Sequence, residues 1–162
     1  MKKLISILIS ILLLTAIACA AGNKLVSTSS TTPETKGILP MKLNIQIDNG
    51  TDKHTLTATI YDNSSSQALV ELLQKGSITI NMHDFSNFEK VGDLPVTLPR
   101  NDTPTDTDAG DIILYLGKSF VIYYDKNSWN FTPLGKVDGV TKTELKKILG
   151  KGNVIAVLSV EL

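Results

Sequence analysis

Side chains able to do chemistry are few in this 162-residue chain: two histidines, one cysteine and a single arginine, Arg100. His83-Asp84, followed by Glu89 and Asp93, is the one cluster whose types suit a metal site or an acid–base pair. One histidine among scattered carboxylates supplies a thin ligand set, and the cluster reads as a solvated strand end. His54, beside Asp52 and Lys53, reads as an exposed turn residue. Asp102, Asp106, Asp108 and Asp111 form an acidic stretch without the glycine and terminal glutamate of a calcium loop, so it reads as solvated. Ser119 and Ser128 have no glycine elbow around them, and no glycine-rich phosphate loop occurs. A lone cysteine excludes an intramolecular disulfide framework and a cysteine-based zinc site. With 16 basic and 16 acidic residues the chain lacks the excess positive charge that nucleic-acid backbones attract, so no nucleic-acid partner is expected. No catalytic residue, no metal and no cofactor is assigned from these patterns.

Aromatic residues are the more informative set. Tyr115, Tyr123, Tyr124, Trp129 and Phe131 gather more than half of the chain's four Phe, four Tyr and one Trp around one hairpin and the stretch after it. About half of these suit core packing. Trp129, flanked by Asn127, Ser128 and Asn130, reads as a residue of a polar loop that either folds inward as a lid or lines a groove. Arg100, Tyr124, Trp129 and Phe131 are the candidate groove residues, for a peptide or a small ligand.

The elements that must position them are mostly strands. Leu43, Ile45 and Ile47 alternate with polar residues, as do Leu56, Ala58 and Ile60, with Asp48-Asn49-Gly50-Thr51 supplying a hairpin turn between them. Asn63 to Ser66 offer caps for a short helix over Ala68–Leu73 that Gly76 closes, and Ile78, Ile80 and Met82 alternate again. Phe85 to Ala109, with Pro95, Pro99 and Pro104, reads as a long irregular region. Asp111–Leu116 and Ser119–Tyr124 make a hairpin across Gly117-Lys118. Thr141-Lys142-Thr143-Glu144 is a capping box for a second short helix, stopped by Gly150. Val154–Leu162 reads as a last strand, apolar on both faces. The fold class expected is mainly β, a closed barrel with two short capping helices, because closure removes exposed strand edges.

The N-terminal stretch is of another kind. Met1-Lys2-Lys3 precedes an apolar run from Leu4 to Ile17, shorter than the roughly 20 residues a membrane-spanning helix needs. The run ends Leu14-Thr15-Ala16-Ile17-Ala18-Cys19 and resembles a lipobox, with the only cysteine at the lipidation position. An ordinary secretory cut after Ala16-Ile17-Ala18 is the alternative. Residues 1–18 are thus expected to be a lipoprotein signal peptide, with lipid on Cys19 as the link to the membrane. Removal of Lys2 and Lys3 leaves two more acids than bases, so acyl chains rather than charge would hold the protein there. Residues 19–40, rich in Ser and Thr, have no apolar periodicity and read as a disordered tether. Residues 41–162 form the folded domain, and the location expected is the bacterial cell envelope, outside the cytoplasm.

The ordered set of local motifs carries a resemblance. Ala58-Thr59-Ile60-Tyr61-Asp62-Asn63 runs into an Ala/Leu-rich helix, then His83-Asp84-Phe85-Ser86-Asn87-Phe88-Glu89-Lys90, then Asp93-Leu94-Pro95 and Leu98-Pro99. Gly110-Asp111-Ile112 starts the hairpin that ends Tyr123-Tyr124, Leu134-Gly135-Lys136-Val137 precedes the second helix, and Gly152-Asn153-Val154 opens the last strand. From Met41 to Leu162 the chain resembles the small microbial cyclophilin-like proteins. The resemblance implies an eight-stranded barrel closed at its ends by two helices. True cyclophilins isomerise X-Pro bonds with an arginine set in a Phe-His-Arg stretch. That stretch is absent here, and Arg100 follows Pro99 in a loop, so no catalytic residue is carried over. Three functions stand as expectations: a non-catalytic module binding a peptide or small ligand, an extracytoplasmic prolyl isomerase or folding helper, and a structural docking lipoprotein. A cleft shared by Arg100 and aromatics would favour the isomerase, and a groove without Arg100 the binding module.

Overall fold

A computed structural model describes residues 41–160. The expected signal peptide, Cys19 and the tether of residues 19–40 lie outside the described residues. Nine strands and two helices follow in the order β1 (Lys42–Asp48), β2 (Lys53–Ile60), α1 (Ser64–Leu73), β3 (Ile78–Phe85), β4 (Glu89–Asp93), β5 (Thr103–Thr107), β6 (Asp111–Tyr115), β7 (Ser119–Tyr123), β8 (Asn127–Val137), α2 (Lys142–Leu149) and β9 (Val154–Val160). The strand order is β2-β1-β9-β3-β4-β7-β6-β8, and β8 returns to β2 through Ala58↔Val137, Thr59↔Lys136 and Ile60↔Gly135. Eight strands therefore close into a ring, the barrel expected. β5 stands outside it, paired only to the first half of β8.

Closure demands a bare backbone where the seam is tightest. A Cβ at Gly135 would lie 2.4 Å from the Thr59 carbonyl oxygen of β2, so only glycine lets β8 reach β2. Inside the ring, alternate residues of each strand pack one core: Leu43, Ile45, Ile47, Ile80, Met82, Ile112, Leu114, Phe120, Ile122, Ala156 and Leu158 among them.

The helices close the two ends. Asn63 caps α1, its side chain accepting from the Ser66 amide at 2.9 Å, and Leu69 and Leu73 turn into the barrel. Ser65 and Ser66 are buried yet satisfied, donating to the carbonyls of Pro99 (2.6 Å) and Leu134 (3.1 Å). At the other end Thr141 and Glu144 form the capping box of α2, and Leu145 and Leu149 close the core. The Asn49 amide in the β1–β2 turn donates to the Ile148 carbonyl at 2.9 Å and ties α2 down. Among the described residues no helix is long and apolar enough to cross a membrane.

Three local expectations need correction. Phe85 to Ala109 is not irregular throughout, since it holds β4 and β5. β4 escapes a periodicity reading because its inward positions are Lys90 and Gly92. A Cβ at Gly92 would sit 2.4 Å from Ile80 Cγ2 and 2.7 Å from the Asn81 carbonyl oxygen. β5, Thr-Pro-Thr-Asp-Thr, carries no apolar alternation because it lies outside the ring. Trp129 sits in β8, not a loop, where pairing with β5 overrides its polar neighbours. Finally, β9 is apolar-in on one face only: Val154, Ala156 and Leu158 are buried, but Ile155 points outward.

Candidate functional site

Adjacent positions on β7 divide the chemistry between the two faces of the barrel wall. Tyr124, which follows the last residue of β7, turns inward. Its hydroxyl donates to Asp84 Oδ1 at 2.5 Å, and Lys90 and Lys146 lie 5.7 and 5.5 Å from its ring. Lys90 is fully buried and donates to Asp84 Oδ1 (2.7 Å) and to the carbonyls of Gly152 (2.7 Å) and Gly150 (3.3 Å). An ammonium has three protons, and all three are placed. Burial works against the Asp84 charge, but bonds from Lys90 and Tyr124, the Lys90 charge and the Asn87 amide hold its carboxyl below the usual range. Burial and the Asp84 charge push the Tyr124 hydroxyl pKa up. The constellation is a satisfied polar plug at the α2 end of the barrel, with no open position for a ligand.

The outward residues build something different. Glu89 and Tyr123 are register partners across β4 and β7, and Val91, Val121 and Ile113 continue the same outer face. The first half of β8 leaves the wall with β5 as a two-stranded flap, its pairing passing from Leu114↔Thr132 on β6 to Thr103↔Phe131 on β5. The Asn127 amide donates to the Tyr123 hydroxyl at 3.3 Å, so the flap lies against the outside of the barrel. Beneath it Ile113, Val121, Tyr123 and Phe131 form a second buried cluster with Phe88 and Val91. Ring contacts connect Phe85 to Phe88 (5.9 Å, edge-on), Phe88 to Tyr123 (6.1 Å, stacked), Tyr123 to Phe131 (5.6 Å) and Phe131 to Tyr115 (6.2 Å, edge-on). The row is buried in the middle and exposed at Phe85 and Tyr115.

Glu89 lies within this row. It is buried and its Oε2 has no hydrogen-bond partner. Burial raises its pKa, offset in part by the bond with Tyr123 and by His83. The Tyr123 hydroxyl is raised in turn, by burial and by Glu89.

The flap carries an open groove of about 360 Å³ lined by Pro104, Thr105, Asp106, Ser128, Trp129 and Asn130. Trp129 is 66% exposed. The Ser128 hydroxyl donates to Asp106 Oδ1 at 2.5 Å, linking the two strands of the flap. A second groove of about 480 Å³, on the outer face of β1, β9 and β3, is lined in part by Asp48, Asn81, His83, Asn153 and Ile155.

The four groove candidates are therefore distributed. Trp129 lines the flap groove, and Phe131 anchors the flap from below. Arg100 sits in the loop after Pro99, ion-paired with Asp102, with Tyr115 in its electrostatic reach. Tyr124 faces the barrel interior. Asp102 is held by the Thr132 hydroxyl at 2.5 Å, and Thr132 also accepts from the Asn101 amide at 2.9 Å, so the loop is pinned with the guanidinium turned to Asp102. His83 and Asp84, adjacent in sequence, point to opposite faces of β3. Among the described residues no three His, Cys, Asp or Glu side chains assemble a metal site. Glu89, expected at a solvated strand end, is instead buried, because the flap and the aromatic row cover the outer face of β4; Phe88, which stacks on Tyr123, was not among the residues singled out from the sequence.

A cyclophilin-like family model matches residues 39–159. The chain belongs to the cyclophilin-like family. Its fold also matches a solved structure, the solution structure of a hypothetical protein from Archaeoglobus fulgidus, at 15% identity and a TM-score of 0.53, over 73% of this chain and 93% of that one. At that identity the likeness concerns the fold alone. No curated protein matches the chain. A fold by itself does not decide function, which rests with specific sites.

Proposed function

We propose that this cyclophilin-like protein is a lipid-anchored, extracytoplasmic binding module that takes an extended peptide in the flap groove and performs no chemistry on it. The observation that carries the reading is Trp129, the most exposed large apolar side chain described, presented on a paired strand in a groove it shares with Pro104, Asp106 and Ser128. An indole so placed offers an apolar face and an N–H donor, the combination that peptide grooves use. The aromatic row beneath gives the flap a rigid seat, which lowers the ordering cost of binding. Arg100 lies outside the groove with its guanidinium taken by Asp102, which favours binding over isomerisation. Anchoring through lipid on Cys19 rests on the lipobox-like leader.

Trp129 is the chain's only tryptophan, so its fluorescence reports the groove directly. Titration with a library of extended peptides is expected to shift its emission saturably, and Trp129→Ala to abolish binding while leaving the unfolding transition in place. Peptide binding that survives Trp129→Ala would overturn the groove assignment.

A further inference from the structure

One end of the barrel carries an exposed apolar tip that neither the core nor the flap accounts for. The β6–β7 turn, Tyr115-Leu116-Gly117-Lys118, places Leu116 at φ +51° and Gly117 at φ +74°. Two successive left-handed residues make the hairpin turn that favours Asn, Asp or Gly at its first central position. A leucine there is strained, and this one is 56% exposed. The loop after β4 is bonded to the turn, Leu94 to the Lys118 carbonyl at 2.9 Å and Leu98 to the Gly117 carbonyl at 2.8 Å. Val96, also exposed, lies in the short segment between those two bonds. Lys118 and the Arg100–Asp102 pair flank the apolar side chains.

The place of this tip in the fold indicates what it meets. The Ile60 amide donates to the Met41 carbonyl at 3.1 Å, so the chain enters the barrel where β2 ends and α1 begins. At that same end Ser65 of α1 holds the Pro99 carbonyl, and the Asn101 amide donates to Ser64 (2.8 Å) and Ser65 (2.6 Å). The loop these bonds fix is the one paired with the Leu116 turn. Leu116, Val96 and Tyr115 therefore stand at the end from which the chain runs back to Cys19. Only residues 20–41 separate Cys19 from the first residue of β1, and chain length bounds how far that end can stand from whatever Cys19 is attached to.

We infer that the Val96–Tyr115–Leu116 tip is a contact surface for the lipid bilayer interface, orienting the barrel with its α1 end toward the membrane. The inference rests on the proposed lipidation of Cys19. Leucine and valine enter the acyl boundary, tyrosine sits at headgroup depth, and Lys118 remains among the phosphates. The tether makes the encounter intramolecular, so even a weak apolar contact is populated.

Because Cys19 is the only cysteine, Leu116→Cys, Val96→Cys and Lys151→Cys each introduce one labelling site into the full-length lipidated protein; Lys151 lies beside α2 at the opposite end. Each variant is labelled with an environment-sensitive fluorophore and reconstituted into phosphatidylethanolamine–phosphatidylglycerol vesicles containing spin-labelled lipid. The expected result is a blue shift and several-fold quenching at positions 116 and 96, and neither at 151. Co-flotation with vesicles without quenching at 116 and 96 overturns the tip assignment and leaves the anchor standing. Failure to co-float after a salt wash overturns the anchor and the tip together. A blue shift that follows protein concentration, with no lipid quenching, identifies a second copy as the partner and also overturns the inference.

Discussion

A half-buried carboxyl and a buried one make opposite demands on pH. Asp84 is charged and bonded to Lys90 and Tyr124, and its pKa lies below the ordinary value. Its contribution is present above the unfolded pKa of about 3.9 and is lost as the pH falls through the lower folded value. Glu89 has a raised pKa, chiefly from burial. Its stability is fully present below the unfolded pKa of about 4.3 and declines as the pH rises through the folded value. Two substitutions separate them in urea unfolding at neutral pH. Asp84→Asn leaves the Lys90 ammonium buried without its counter-charge and is expected to cost about 3 kcal/mol, much of it recovered in Asp84→Asn/Lys90→Met. Glu89→Gln is expected to leave stability equal or higher and to flatten the pH dependence above about pH 4. A large loss in Glu89→Gln would show that Glu89 Oε2 has a partner after all.

At the level of elements, the barrel depends on places where side chains are absent or caps are present. Gly135→Ala pushes a methyl into the Thr59 carbonyl at the β2–β8 seam, and a loss of about 2 kcal/mol is expected in thermal or urea unfolding. An unchanged midpoint would mean the seam relaxes freely. Thr141→Ala removes one half of the α2 capping box and is expected to cost about 1 kcal/mol. β5 is the edge strand, and it carries Pro104, which has no amide proton, and Asp106, a charge; both discourage further strand pairing. The flap therefore offers its face rather than its edge, and a groove around Trp129 is the consistent use of it.

For the whole molecule, the ring closes through strands of the described residues, β8 pairing back to β2. Among the described residues the core cluster runs from Leu43 to Leu158, and a chain of residues 41–162 is expected to melt at the temperature of the longer one. A large drop would show that the preceding segment packs on the barrel. The same domain is expected to leave the prolyl-peptide isomerisation rate at background in a protease-coupled assay. Polarising a prolyl amide requires a guanidinium free to approach it, and Arg100 is committed to Asp102. A rate increase that vanishes in Arg100→Ala would restore the isomerase reading.

Local patterns sufficed for much of this fold. The alternation in β1, β2 and β3, the turn at Gly50, the β6–β7 hairpin, the Asn63 cap and the Thr141 capping box were legible because each is decided by neighbours in sequence, through side-chain period or short-range hydrogen bonds. β4 and β5 were not, because their pattern answers to distant partners: Lys90 is inward only where Asp84 and two carbonyls after α2 meet it, and Gly92 is bare because β3 crosses there. The candidate site divided in the same way. That aromatics cluster between Tyr115 and Phe131 is a sequence fact. That Tyr123 and Tyr124 face opposite sides of one wall, that Trp129 is lifted out on a flap, and that Glu89 is enclosed beneath an aromatic row are decisions of the closed sheet. Period two sets which residues share a face, but only the ring decides which face is inside.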